Sequence, residues 1–195
     1  MDSGYAEPGG RAPAPAPLRL AQVFVNTADR EGGTDALSTP PALVQWLVRY
    51  NLMADTESAS EEDLALALDL REGLRSLFLS HHDGLPADAG ADRLERALSQ
   101  LPVRLTVPGG VVGAVPWSAS PVRAALTEIA AVLIRADPAL LTRLKACRRD
   151  VCQWVFYDSS RNRGSTWCAM DICGARSKMA AYRGRRREDD GGAGS

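Results

Sequence analysis

The chain's four cysteines, Cys147, Cys152, Cys168 and Cys173, stand as two C-x4-C pairs with fifteen residues between them, all in the last quarter of 195 residues. Two close pairs joined by a short hairpin deliver four thiolates to one point at low loop-closure cost, which is the arrangement a tetrahedral structural zinc site requires. One structural Zn2+ per chain, held by those four residues, is therefore expected. The first seventeen residues lack a basic start followed by an apolar stretch, so they do not read as a secretory signal, and a cytoplasmic location is expected. In a reducing compartment, paired cysteines are read as metal ligands before disulfides. No run of about 18 apolar residues is present, so no membrane partner is expected. With 45% hydrophobic residues, the chain can bury one sizeable core and carry a small appended module.

The net charge of −1 conceals an asymmetry. From Arg143 to Arg187 there are 12 Lys and Arg against 3 Asp and Glu, whereas the remaining residues hold 11 against 21. A cationic C-terminal module on an acidic body points to a polyanion partner, most commonly nucleic acid.

Residues 1–17 are rich in Pro, Ala and Gly and read as an extended, disordered tail. Leu18 to Asp29, with Val23-Phe24-Val25 ahead of Asn26-Thr27, reads as a short strand ending in a turn or as a packed loop. Leu43, Val44, Leu47 and Val48 recur at helical spacing behind Pro40-Pro41, giving a helix to about Met53 with Trp46 in the core. Ser60 followed by Glu61, Glu62 and Asp63 marks the start of a long helix. Its apolar face is Leu64, Leu68, Leu70, Leu74, Leu77 and Phe78, with Arg71, Glu72 and Arg75 on its other faces. It fades at His81 and His82, which read as a solvated C-terminal cap beside Asp83-Gly84. A third helix is expected over 91–101. A hairpin follows, from Val103–Val107 and Val111–Trp117 around Pro108-Gly109-Gly110. That Gly pair is a turn, since no Gly-Lys-Ser/Thr follows as a phosphate loop demands. A fourth helix spans Pro121 to Ala136, and a shorter one from Pro138 carries Leu140, Leu141 and Leu144 into Cys147.

Within the cysteine module, Cys147 to Cys152 forms the first turn, Trp154-Val-Phe-Tyr157 a strand, and 158–163 the next turn. The chain after Cys173 is expected to be helical to about Arg187. A hairpin supplying one ligand pair and a helix start supplying the other describe a treble-clef or ribbon-like finger. Trp154, Phe156 and Trp167 read as its minimal core. In so small a unit the metal stands in for a core, structural zinc contributing about 10–16 kcal/mol in finger peptides. The fold class is thus mainly α (α+β): a helical N-terminal domain with a small β-hairpin, then the finger.

The run Cys147-x4-Cys152, Phe156-Tyr-Asp158-Ser-Ser160-Arg161-Asn-Arg163, Trp167-Cys168-Ala-Met170, Cys173-Gly174-Ala-Arg176-Ser-Lys178 and Tyr182-Arg183 resembles the CGNR zinc finger. Phe24-Val-Asn26-Thr27, Leu43 to Leu47 and Leu70-Arg-Glu-Gly-Leu-Arg75 resemble the helical ABATE domain usually fused to it in stress-induced transcription regulators. The boundaries this implies are a tail at 1–17, a helical domain at 18–143, the finger at 144–187 and a tail at 188–195. The name-giving Cys-Gly-Asn-Arg reads Cys173-Gly174-Ala175-Arg176 here, so no role of that Asn amide carries over.

The resemblance implies regulation on DNA, and the residues support a polyanion contact independently. Arg161, Arg163, Arg176, Lys178, Arg183, Arg185, Arg186 and Arg187 are the candidate duplex-DNA contacts, through phosphates and guanine edges. An internal pair of Asp158 with Arg161 or Arg176 is the competing structural use. The helical domain is expected to sense a small-molecule ligand or to form a homodimer. A different class of function is a zinc-stabilised protein- or RNA-interaction adaptor without direct duplex DNA binding. A redox switch, in which oxidation ejects the metal, is a further alternative. An enzyme is not expected, because four cysteine ligands leave no open metal position and no nucleophile stands beside a base.

Overall fold

Helix α3, Glu61–Ser80, is the axis on which the other elements pack, in a computed structural model whose described residues are 7–82, 88–180 and 182–183. Its start is fixed locally. Ser60 Oγ accepts from Asp63 N–H at 3.1 Å, and the Asp63 carboxylate accepts in return from Ser60 N–H at 3.1 Å, a reciprocal capping box. Leu64, Leu70, Leu74 and Phe78 form its buried face. Helix α4, Asp88–Ser99, lies so close that a Cβ at Gly73 would sit 2.7 Å from Leu94 Cα, so glycine sets that approach. Helices α1 (Leu18–Val25), α2 (Pro40–Arg49) and α5 (Pro121–Arg135) complete the core, with Phe24, Trp46 and Ile129 buried in it.

Among the described residues three small antiparallel hairpins accompany the helices: β1 (Ala28–Asp29) with β2 (Thr34–Asp35), β3 (Val103–Thr106) with β4 (Gly113–Pro116), and β5 (Leu144–Ala146) with β6 (Val155–Tyr157). The β3–β4 hairpin turns through Pro108–Gly110 as expected, Gly109 and Gly110 both taking positive φ.

Several expectations are corrected. The apolar run Val23-Phe24-Val25 is helical: α1 buries all three together with Leu18 and Ala21 and leaves Arg19 and Leu20 partly exposed, so the consecutive β-branched and aromatic residues enter the core from a helix. Helix α2 stops at Arg49 rather than near Met53. Asn51 takes φ 55°, Asn51 N–H reaches Val48 O at 2.9 Å and Leu52 N–H reaches Leu47 O at 2.9 Å, a Schellman ending. The shorter helix, α6, covers only Pro138–Leu141, and Leu144 enters the finger in strand β5. Residues 7–17, expected as part of a tail, are seated on the finger. Arg11 donates from Nε to Cys168 O at 2.6 Å and from Nη2 to Trp167 O at 2.8 Å, with its guanidinium 4.5 Å over the Phe156 ring. Glu7 pairs with Arg19, and Gln22 accepts from Ala14 N–H at 2.9 Å.

Arg71 and Arg75, expected away from the apolar face, are buried. Arg71 forks onto Asp35 at 2.7 and 2.8 Å. Arg75, 2% exposed, donates to Val25 O at 2.7 Å, Gln153 O at 2.9 Å and Glu72 at 2.9 Å, tying α1, α3 and the cysteine loop together. A planar guanidinium with several donors satisfies such a set where an ammonium does not.

The β5–β6 hairpin has both outer edges closed by side chains of the helical domain. Cys147 N–H bonds Trp154 O at 2.9 Å, so ladder alternation turns the backbone groups of Leu144, Ala146 and Val155 outward. His81 Nδ1 meets Leu144 O at 2.8 Å and His82 Nε2 meets Ala146 O at 2.7 Å. Carbonyls only accept, so each imidazole donates from that nitrogen. On the other edge the Asn26 amide gives to Val155 O at 2.8 Å and takes from Val155 N–H at 2.8 Å. The expectation of a solvated histidine cap is thus overturned: His82 is buried, His81 is half-buried, and both dock the finger.

Burial pushes both histidines below their ordinary value of 6.5. On acidification the unfolded chain takes up these protons before the native state does. The stability they carry is therefore complete above about pH 6.5 and is lost as pH falls through and below it. Zinc-saturated protein should lose stability to urea between pH 7.5 and 5.5, and His81→Gln/His82→Gln should show a shallower pH slope; an unchanged slope would contradict this docking.

Candidate metal centre and its basic surroundings

Strand β5 delivers Cys147 directly, and the chain then folds back so that Cys152 N–H reaches Arg149 O at 2.8 Å and Gln153, with φ 47°, turns into β6. The second pair is built differently. Cys168 follows the 158–167 loop, and Cys173 sits in a π-helical turn, Met170–Gly174, where Cys173 and Gly174 N–H both reach Ala169 O, at 3.0 and 3.1 Å. Gly174 is buried, and a Cβ there would meet Met170 Sδ at 2.5 Å and Trp167 Cδ1 at 3.1 Å, so a side chain after Cys173 would displace Met170 and press on Trp167. The turn runs into a helix over 175–180, and Ala175, in the place of the family's Asn, is its exposed first residue. The hairpin thus gives one ligand pair and the helix start the other. The part of that expected helix beyond 183 lies outside the described residues.

The four sulfurs lie within 4.8 Å of one another and all four cysteines are buried. Cys152 and Cys168 Sγ are 3.7 Å apart, and Cys168 and Cys173 Sγ are 3.6 Å apart. A disulfide needs about 2.05 Å. A tetrahedron of thiolates at Zn–S of about 2.3 Å has edges near 3.8 Å, which these separations fit. Left to themselves the four groups cannot all ionise: hydrogen bonds from Cys152 and Cys168 hold the Cys147 thiol down at about 2, while Cys147 pushes Cys152 up to about 12 and Cys168 further still. A divalent cation removes that conflict. The four cysteines can hold one zinc ion, which when bound would supply structural cross-linking and charge neutralisation with no open position for substrate.

The surroundings are arranged around this cluster. Phe156 is buried against the cysteines, with Trp154 and Trp167 packed beside it, the expected minimal core. That core is not isolated, since Leu144, Ala146 and Val155 belong to the main hydrophobic core. The finger is held by apolar packing and metal ligands on two sides of one hairpin. Arg149 bonds Glu31 at 2.6 Å, and that carboxylate, with the Cys173 thiol as a lesser influence, holds its guanidinium strongly protonated.

The expected pair of Asp158 with Arg161 or Arg176 is replaced by another. Asp158 is buried and accepts from Lys145 Nζ at 3.1 Å, Ser160 Oγ at 2.6 Å and Ser165 N–H at 3.0 Å. Burial raises its pKa, but the bonds from Ser160, Ser165 and Lys145 outweigh it and hold the carboxyl far below the usual range. Lys145 Nζ also donates to Arg163 O, and Arg143 to Ser160 O at 3.0 Å, so a buried ion pair shapes the loop that carries Arg161 and Arg163. Both arginines are exposed there, as are Arg176, Lys178 and Arg183 along and beyond the helix; Arg176 is ion-paired with Glu31. Arg185, Arg186 and Arg187 lie outside the described residues. Sequence reasoning missed Glu31, which gathers Arg149 and Arg176 from the tip of the β1–β2 hairpin; an acid in a Gly-rich turn carries no sign of a partner more than a hundred residues away.

Purified protein should hold one zinc per chain by elemental analysis, and Cys168→Ser should lower zinc affinity and free the remaining thiols to a colorimetric thiol reagent. Full zinc retention by Cys168→Ser would contradict a four-cysteine site.

Residues 143–186 match the family model described as CGNR zinc finger, and residues 18–143 match the ABATE model, described as "Putative stress-induced transcription regulator". No curated protein matches the chain. With the larger match spanning most of its length and the cysteine cluster formed where the smaller one falls, the chain belongs to the ABATE family and carries a C-terminal CGNR zinc finger.

Proposed function

We propose that this chain is a zinc-dependent DNA-binding transcription regulator whose finger contacts duplex DNA through its arginine-rich surface and whose helical domain serves sensing or dimerisation. One observation carries it. The loop shaped by buried Asp158 and the helix that follows Cys173 both flank the thiolate cluster, and they expose Arg161, Arg163, Arg176, Lys178 and Arg183. Phosphates recruit such mobile cations at the rim of a rigid unit, and guanidinium forks read guanine edges. Arg185, Arg186 and Arg187 are further proposed contacts by charge alone. The role is consistent with the family's regulatory description. A stress-responsive, cytoplasmic role is part of the proposal, and no helix of the described residues is long and apolar enough to cross a membrane. No catalytic role is proposed, since a site closed by four thiolates has no position for a reacting group.

A second reading is the zinc-stabilised adaptor for protein or RNA. It draws on Met170, Ile172, Met179 and Tyr182, which are exposed on the same turn and helix as the basic residues. Apolar side chains among arginines suit a mixed protein interface as well as a groove.

Fluorescence anisotropy with a random-sequence duplex and a salt titration separates the two. The regulator should bind at low salt with log K falling by about 0.9 per neutralised phosphate for each unit of log salt, and Arg161→Ala/Arg163→Ala should make that slope shallower by about 2. Absence of duplex binding at low salt, with zinc in place, would sink the DNA reading and leave the adaptor.

A further inference from the structure

The β3–β4 hairpin, far along the chain from the finger, leaves Val103, Leu105, Val107, Val111, Val112 and Trp117 between 43% and 71% exposed. Six large apolar side chains at these exposures present on the order of 500 Å² of apolar surface. That is at the upper end of what a monomer carries, and Val103, Leu105 and Val107 are the part of it beside the β3 edge. The basic finger surface does not explain this patch, and neither does any metal or charge cluster.

The backbone of the same hairpin says what kind of partner fits. Trp117 N–H bonds Pro102 O at 2.9 Å, and β3 pairs Val103 with Pro116, Arg104 with Val115 and Leu105 with Ala114. Alternation along an antiparallel ladder then points the N–H and C=O groups of Arg104 and Thr106 at β4, and those of Val103 and Leu105 away from it. The two outer edges are unequal. On β4, Pro116 occupies an outward-facing position and has no N–H to offer, which blunts that edge. On β3, the outward donors and acceptors belong to the exposed apolar residues Val103 and Leu105, an unpaired edge open to another strand.

We infer that β3 is a homodimer edge, pairing antiparallel with β3 of a second copy about a two-fold axis through Leu105. The sequence is self-complementary in that register. Leu105 faces its own counterpart, an outward-turned position able to exchange backbone hydrogen bonds, and Val103 faces Val107 of the second copy, the residue just after β3 where the turn begins. The exposed side chains Val103 and Leu105 share one face of the strand, so the same pairing brings them against the second copy. The interface is isologous and closes at two copies, leaving the Pro116 edges outside and making one four-stranded sheet, β4-β3-β3-β4. This deepens the dimerisation part of the proposed function and is independent of its DNA part.

Sedimentation analysis of the full zinc-loaded chain without DNA tests it. Wild type should run at twice 20.9 kDa at tens of micromolar and dissociate on dilution. Leu105→Lys places a charge on the axis, and Leu105→Pro removes the outward-facing N–H together with the leucine side chain while breaking no hydrogen bond to β4. Both should be monomeric at the concentration where wild type is dimeric, with zinc content unchanged. If Leu105→Pro fails to retain native circular dichroism, Leu105→Lys decides alone. A monomeric wild type at 100 micromolar, or a dimer that survives Leu105→Lys, would overturn the assignment; since no DNA is present, neither result bears on whether the finger binds a duplex.

Discussion

The position of the finger rests on the closure of one small hairpin. A two-stranded ribbon leaves a row of unpaired backbone groups on each side and is marginal in water. Here His81 and His82 close one side and Asn26 the other, while Arg75 takes the carbonyl of Gln153 at the neck of the cysteine turn. The hairpin is thereby tied to the ends of α1 and α3, and the metal ligands that extend from it inherit that orientation. Leu144, Ala146 and Val155 complete the attachment by entering the main core. The segment before α1 adds a strap from outside the two matched ranges, with Arg11 holding the backbone at Trp167 and Cys168. The domain boundary drawn by family matching near residue 143 is thus a boundary in sequence, across which the packing is continuous.

The charge asymmetry acquires a second meaning in this frame. Glu31, projected by the β1–β2 hairpin of the acidic body, grips Arg149 beside the cysteines and Arg176 on the following helix, and those cations hold its carboxyl below the ordinary range. Part of the basic surface is therefore used internally. A duplex that engages Arg176 must compete with an exposed ion pair, an exchange of small cost in water. Among the described residues Arg161, Arg163, Lys178 and Arg183 make no ion pair of that kind, and they form the more available part of the proposed contact surface.

What was legible in the sequence was what local chemistry determines. Two C-x4-C pairs specify a metal cluster; Ser60 and Asp63 specify a helix start; Pro108-Gly109-Gly110 specifies a turn; Trp46 stands on an apolar face and is buried. What was not legible depends on distant partners. In α1 the consecutive residues Val23-Phe24-Val25 are all buried, so their β-branched and aromatic composition reads locally as a strand although the segment is a helix. His81 and His82 stand at a helix end where a solvated cap is the local default, and only a strand more than sixty residues away makes them buried donors. Arg71 and Arg75 carry the same lesson, since a charged residue reads as solvent-facing until Asp35, Glu72 and two carbonyls appear around it. The Pro- and Ala-rich composition of 7–17 likewise gives no hint that Arg11 finds two carbonyls and an aromatic face.

The central claim is that the finger and helical domain are one cooperative unit joined through the β5–β6 hairpin. Native-state hydrogen exchange on the zinc-loaded chain tests it most directly, comparing the amides of Cys147, Val155 and Asp158 with those of Leu70 and Leu74 in α3. The account predicts that both sets exchange through the same global opening, with matching free energies and matching denaturant dependence. Fast, denaturant-insensitive exchange of the hairpin amides while α3 stays protected would contradict it and make the finger a separately opening module.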